Sequence, residues 1–234
     1  MTICMVIARK EIRELLANRN TMLTSLGVAL VFAVIYGLSL TEEGSIGGAI
    51  SVDGTLFFLS IMLGVFMAYS LTGHVFYKEK TDRIIETLLT SPATLRQIWL
   101  GKVLAVGAVS YVLALIAVAV LLLITAIRNQ GIVLPGAPVI FHIFLVVPVF
   151  IAAFVGLNGV AQLALGMKEN RLLGFIIFIP LFAGLYGLGF SIGAVTTITW
   201  LYSGLVLAGA LLLLVLAAFI VRFLSTERIV TSLG

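Results

Sequence analysis

Long uncharged apolar runs alternate with short polar segments along this 234-residue chain. The runs cover residues 20–41, 54–77, 103–127, 129–167 and 172–221. A helix needs about 20 mainly apolar residues to cross roughly 30 Å of hydrocarbon. The first three runs therefore predict one membrane-spanning helix each.

The last two runs are too long for single helices. The first ten residues of 129–167 include two prolines and two glycines, which favours a loop followed by one span at about 139–166. The run 172–221 is long enough for two spans, with a break near 191–199, where glycine, serine and threonine collect. The pattern predicts an all-α membrane protein with six transmembrane helices.

The basic residues supply an independent test of that count, because Lys and Arg concentrate in short cytoplasmic loops. With six spans and a cytoplasmic N-terminus, only Arg128 of the 14 basic residues falls on the outer side. A five-span chain would move Arg222 and Arg228 outside. Six spans with both termini cytoplasmic are therefore expected.

Composition removes several classes of function. At 62% hydrophobic and 10% charged residues, the chain differs from soluble domains, in which about 25% of residues are charged. Membrane orientation accounts for the net charge of +4, so no nucleic-acid partner is implied. The single cysteine, Cys4, excludes an internal disulfide and a cysteine-cluster metal site. No metal site is expected, since His74 and His142 lie at opposite ends of the predicted membrane region.

Residues 1–19 predict an amphipathic helix lying in the membrane surface. Apolar side chains recur at helical spacing on one face and charged ones occupy the others, as in helices that bind the headgroup boundary. The residues expected at the membrane surface are Lys10, Ile12, Arg13, Leu15 and Leu16. The alternative is a charged cytoplasmic tail.

A polar segment at 78–102, KEKTDRIIETLLTSPATLRQIWLGK, separates the second and third spans. Opposite charges at i,i+4, Lys78 with Asp82 and Glu79 with Arg83, support a helix that extends span two into the cytoplasm. Ser91-Pro92 should end that helix and begin the next, with Pro92 at the first helical position. A solvated loop is the alternative, although an apolar ridge at 84–89 argues against it.

The segment 78–102 and the overall layout resemble the membrane subunits of ABC-2 type ABC transporters. The resemblance rests on Glu-Thr-Leu-Leu-x-Ser-Pro, followed by Leu-Gly-Lys at the start of a hydrophobic helix. It implies an elbow helix at 1–19, spans at 20–77 and 103–224, a coupling region at 78–102 and a tail at 225–234. A Lys-Glu pair such as Lys10-Glu11 is frequent in the elbow helix of that family. The residues implied to contact an ATPase subunit are Glu79, Asp82, Arg83, Ile85, Glu86, Leu88, Leu89, Ser91 and Pro92.

The resemblance also implies the partners. Two ATPase subunits would hold ATP and Mg, and a second permease subunit, either a copy or a paralogue, would complete the transporter. The protein would be a multi-pass component of a prokaryotic-type plasma membrane and would contact lipid. This chain has no phosphate-binding Gly-x-x-x-x-Gly-Lys-Ser/Thr motif and no expected cofactor or catalytic residue of its own. The protein is expected to be an exporter, although the residues do not give the direction of transport, and its uncharged spans indicate an apolar or amphipathic substrate.

Two other functions are left open by the residues. A stand-alone channel or secondary carrier would depend on His74, which we expect to be an interface residue instead. A rhomboid-like intramembrane hydrolase would use Ser191, within Gly-Phe-Ser-Ile-Gly, together with His142. The strand-to-helix turn and the orienting acid of such a site are not evident in the sequence.

Local features complete the predictions. Pro148 and Pro180 lie inside predicted spans, where proline removes a backbone hydrogen bond and favours a kink. Trp99 is expected in an inner belt of aromatic residues at the membrane surface, and Trp200 and Tyr202 in an outer one.

Overall fold

A computed structural model describes residues 3–39, 52–77, 93–128, 130–131, 134–165 and 198–223. Within these ranges the chain is helical and has no strand. The α-helices are α1 (Ile3–Ala17), α2 (Arg19–Ser39), α3 (Val52–Thr72), α4 (Leu95–Arg128), α5 (Ala137–Phe141), α6 (Val147–Ala164) and α7 (Trp200–Ile220). Shorter helical turns continue three of them, namely the π-helical Gly73–Tyr77 and His142–Val146 and the 3-10 turn Val221–Phe223.

Five helices in the described ranges are long and apolar enough to cross a membrane. They are Arg19–Leu38, Val52–Phe76, Leu95–Arg128, Ala137–Ala164 and Trp200–Phe223. They coincide with predicted spans one to four and six, so the all-helical membrane class is confirmed. The predicted fifth span, with Pro180, lies outside the described residues, and so do Ser191 and the tail at 225–234.

Helix α3 forms the centre of the bundle and is largely buried along its length. It packs against α4 and α6, while α4 also contacts α1 and α2, and α6 contacts α7. The apolar side chains of α3 therefore meet neighbours on most sides. In contrast, α2 and α7 leave broad apolar faces uncovered, as expected for helices that contact lipid or another subunit.

Helix α4 begins at Leu95, after a side-chain cap. Thr94 and Gln97 form a capping box, in which the Gln97 N–H donates to Thr94 Oγ1 at 3.3 Å and the Thr94 N–H donates to Gln97 Oε1 at 3.0 Å. Leu95 is the first helical residue. Ala93 and Thr94 are described and precede the helix, whereas Pro92, the predicted first helical position, lies outside the described residues.

The disturbance expected at Pro148 takes the form of a π-helical turn. Residues His142–Val146 are π-helical, and the N–H of Val147 donates to the carbonyl of His142, five residues earlier. Pro148 then lies in the first turn of α6, where its missing N–H has little consequence. The wider turn thus absorbs the proline without ending the span.

At the end of the bundle that holds the C-termini of α2 and α4, polar contacts join neighbouring segments, and two of them involve charged side chains. Arg128 donates to the carbonyl oxygen of Leu38 at 2.8 Å. The N–H of Gly136 donates to the carboxylate of Asp53, at 3.1 Å from Oδ1. Each contact supplies a partner for a backbone group beside a helix terminus.

Candidate functional site at the base of the bundle

The opposite end of the bundle contains the two points from which the polar segment departs. Residues 78–92 lie outside the described residues, and with them all nine predicted ATPase contacts: Glu79, Asp82, Arg83, Ile85, Glu86, Leu88, Leu89, Ser91 and Pro92. Their flanks are described, with the π-helical turn Gly73–Tyr77 on one side and the start of α4 on the other. We call the side chains that join these flanks to each other, to α1 and to the neighbouring spans the basal junction: Glu11, Asn18, His74, Phe76, Trp99 and Lys102.

Close approach of two backbones brings α1 against α4. A Cβ atom placed on Gly101 would lie 2.8 Å from Cγ2 of Ile7 and 3.0 Å from the backbone oxygen of Cys4. Only glycine leaves room for α1 at this distance. Ala8 and Leu15 of α1 are buried beside this contact.

A buried ion pair joins the same two helices. Lys102 Nζ lies 3.1 Å from Glu11 Oε1, and both side chains are only 2% exposed. Because burial removes both charges from water, each needs the other as a partner. The gap opened by Gly101 and the adjacent charge of Lys102 therefore explain the Leu-Gly-Lys motif at the start of span three.

Two aromatic residues extend the junction to the other spans. Lys102 Nζ lies 5.5 Å from the centroid of the Phe76 ring, within the range of a cation–π interaction. One turn earlier in α4, Trp99 Nε1 donates to the carbonyl oxygen of Gly156 at 3.1 Å. Trp99 is 2% exposed, so its assignment to a lipid-facing aromatic belt was wrong.

Asn18 connects α1, α2 and the end of α3 with one side chain. Its Oδ1 accepts from the N–H of Thr21 at 3.3 Å, as an N-cap of α2. Its Nδ2 lies 2.9 Å from Nε2 of His74. Since Oδ1 is used by the cap, Nδ2 faces the histidine and donates, so His74 accepts through a neutral ring nitrogen. His74 therefore has a side-chain hydrogen-bond partner, where the sequence led us to expect backbone or water.

The structure divides the predicted membrane-surface residues of α1. Leu15 is 1% exposed and packs against the protein core, so it is not available to lipid, and Ile12 is half-buried. Leu16 is 58% exposed, and Lys10 and Arg13 are exposed. The single apolar face read from the sequence is therefore two faces, one toward α4 and one directed away from the protein.

Sequence reasoning missed the role of Glu11 and Lys102, although it contained a signal. Glu11 lies three residues after Ala8 and four before Leu15, so it interrupts the face that packs on α4. Lys102 enters a hydrophobic helix one turn after Trp99. A charge on a buried face needs an opposite partner, and these two are of opposite sign on helices predicted to meet the same membrane surface.

The contacts in the basal junction are of the kinds that hold helices together. They combine an ion pair, hydrogen bonds and ring packing, and no group of three or more potential metal ligands occurs in the part of the chain that the structure describes. His142, the proposed partner of Ser191, is fully buried and stacks on Phe57 with the ring centroids 3.8 Å apart. That ring packing is the role the described residues give it.

Fold and composition together define a polytopic helical membrane protein. The family model described as ABC-2 family transporter protein matches residues 5–196. The chain therefore belongs to the ABC-2 family, as its resemblance indicated, and is a membrane permease of the ABC transporter type, a transport component without catalytic activity of its own. A comparison with curated proteins found no match. Membership implies an ABC ATPase as partner.

Replacing Gly101 by valine should separate α1 from α4. The added side chain would meet Ile7 and the Cys4 backbone at less than contact distance, and overpacking of this kind costs about 1–3 kcal/mol. We expect a lower free energy of unfolding, measured by denaturation in mixed detergent micelles. Gly107→Val is the matched control in the same helix, since nothing lies within 4 Å of the added Cβ. Equal stability of the two variants would contradict close packing at Gly101.

A double-mutant cycle tests the ion pair. Glu11→Leu or Lys102→Met alone should cost up to about 3–5 kcal/mol of unfolding free energy, because each removes the nearest opposite charge from a buried group. Lys10, at 3.7 Å, still lies near Glu11 when Lys102 is changed, so Lys102→Met should be the milder of the two. Combining the two substitutions should recover most of that loss, since an apolar pair fits an apolar site. Glu14→Leu provides the control, because Glu14 and its partner Lys10 are both exposed and such pairs contribute at most about 1 kcal/mol. Additive losses in the double variant would show that the charges do not interact.

Proposed function

We propose that this permease is a subunit of an ATP-driven exporter of apolar or amphipathic molecules, energised by a separate ATPase through residues 78–102. The observation that supports coupling through this segment is the basal junction, which fixes Phe76 just before the segment and Trp99 and Lys102 in its C-terminal part. The family match over 5–196 includes the segment. Because the junction packs against this segment, a force applied to the segment would reach the helices of the bundle.

In the proposed mechanism, the ATPase subunit binds the helical part of the segment. Glu86 supplies a charged contact and the apolar ridge that includes Leu88 and Leu89 fills a groove. Closure of the ATPase around ATP displaces the segment. Because Phe76 lies at the end of one flank and Lys102 near the start of the other, and these two groups touch, the displacement reaches α3 and α4 together.

Helix α1 acts as the brace in this mechanism. Its Glu11 is paired with Lys102 of α4, and Asn18 at its C-terminal end donates to His74 beyond α3. The two flanks are thus tied to each other and to one helix that precedes the first span. A base held in this way passes on a push as movement of whole helices, without local rearrangement.

The substrate class follows from the spans. Between their ends the described spans hold no Asp or Glu, and Lys102 lies near the start of α4, where it is paired. A path built from such helices offers apolar contacts and few polar groups, which suits a lipid, a drug or a hydrophobic peptide.

The proposed assembly has two ATPase subunits beneath two permease subunits, the second a copy or a paralogue. Six spans place both termini and residues 78–102 on the cytoplasmic side of a prokaryotic-type plasma membrane. The exposed apolar faces of α2 and α7 leave room for a second permease subunit or for lipid.

The variant Glu86→Arg tests the proposed coupling. Charge reversal should weaken the ATPase contact while leaving the fold intact, because the sequence predicts that Glu86 lies in a cytoplasmic segment outside the membrane spans. We expect reduced copurification of an ATPase from native membranes in mild detergent, and loss of ATP-driven transport in proteoliposomes. Glu42→Arg, in the predicted outer loop, is the matched charge reversal and should retain both. Full transport by Glu86→Arg would remove Glu86 from the contact, and an absent ATPase in all samples would overturn the proposal.

A further inference from the structure

The exposed surface of α1 has two distinct parts. Met5 and Leu16 are more than half exposed and apolar, and Arg9 and Arg13 are exposed and basic. On a helix, Met5 lies one turn before Arg9, and Leu16 lies just under one turn after Arg13. The two arginines are thus bracketed along the helix by uncovered apolar side chains.

A groove of ~530 Å³ runs along the basic side of this surface. Its described lining is Val6, Arg9, Lys10, Arg13 and Glu14. Lys10 is engaged by two carboxylates, lying 3.3 Å from Glu14 and 3.7 Å from Glu11. Glu14 balances one of the three cations in the groove, which leaves an excess positive charge from Arg9 and Arg13.

The arginine pair is spaced for a single anion. Residues four apart on a helix have Cβ atoms about 5–6 Å apart, and neither guanidinium has an ion pair within the described ranges. Two guanidinium groups at this spacing can both donate to the oxygens of one phosphate.

We propose that Arg9 and Arg13 bind the phosphate of an anionic membrane lipid whose acyl chains contact Met5 and Leu16. The proposal does not rest on the proposed ATPase contact. A free phosphate or an acidic protein surface would use the arginines but would leave the adjacent apolar side chains in water. A lipid satisfies both parts of the surface at once, since its charge and its hydrocarbon are adjacent, as in other helices that lie in the headgroup region.

Lipid titration of the purified full-length chain tests the site. Fluorescently labelled phosphatidylglycerol is added in an uncharged detergent. Unlabelled phosphatidylglycerol, unlabelled phosphatidylcholine and inorganic phosphate are then tested as separate competitors. Each arginine near an anionic surface contributes about fivefold in affinity, so Arg9→Gln/Arg13→Gln should bind phosphatidylglycerol about 30-fold more weakly. The affinity of the unmodified chain should also fall as salt is raised.

The control variant is Arg96→Gln/Arg222→Gln, which removes the same charge from other exposed positions. It should bind phosphatidylglycerol as the unmodified chain does. Equal weakening of both variants would reveal general electrostatic attraction and overturn the site. Competition by phosphate as strong as that by unlabelled phosphatidylglycerol would show a soluble-anion site. If Arg9→Gln/Arg13→Gln lost ATPase copurification but bound lipid unchanged, this surface would belong to the ATPase contact. The lipid proposal would then be wrong.

Discussion

A lysine and a glutamate that are both withdrawn from water must stay together, and the base of this permease is organised around that constraint. Separating Lys102 from Glu11 would take the nearest opposite charge from each of two buried groups, which is costly in an apolar interior. The pair therefore fixes α1 against α4 more firmly than apolar packing alone, which tolerates sliding. Gly101 makes the pair geometrically accessible, because it lets the backbones approach. The contacts of Phe76, Trp99 and Asn18 then extend this fixed point to the other helices.

The contacts between helices differ between the ends of the bundle, where they are polar, and its interior, where they are mainly apolar. Strong polar contacts occur near helix termini, as with Asp53 and Gly136 at one end and Lys102 and Glu11 at the other. The described spans between them are joined mainly by apolar packing around α3. In an apolar solvent such packing has little preference for one arrangement over a shifted one. Helices tied at their ends and loosely specified between them are suited to tilt as units when one end is moved.

The spans could be predicted from the sequence because each depends on local composition alone. About 20 uncharged residues suffice, and the described spans agree with the apolar runs. The junction could not be predicted in the same way, since it depends on which faces of distant segments meet. The separation of Leu15 from Leu16 shows the difficulty, because neighbouring leucines on one helix contact the protein core and the surroundings respectively. The start of α4 at Leu95 had a local signal in Thr94 and Gln97, whose side chains form a reciprocal cap.

The central claim is that α1, the end of α3 and the start of α4 move as one body when the ATPase acts. Electron paramagnetic resonance distances between spin labels at Glu14→Cys and Leu100→Cys, in a Cys4→Ser background, test it most directly. Both positions are exposed, so the labels do not disturb the junction. The account predicts the same distance in the nucleotide-free complex and in the complex trapped with ATP and vanadate, while a pair joining Leu100→Cys to Phe223→Cys in α7's 3-10 extension changes. A changed distance between α1 and α4 would show that the junction opens during the cycle and would contradict the account.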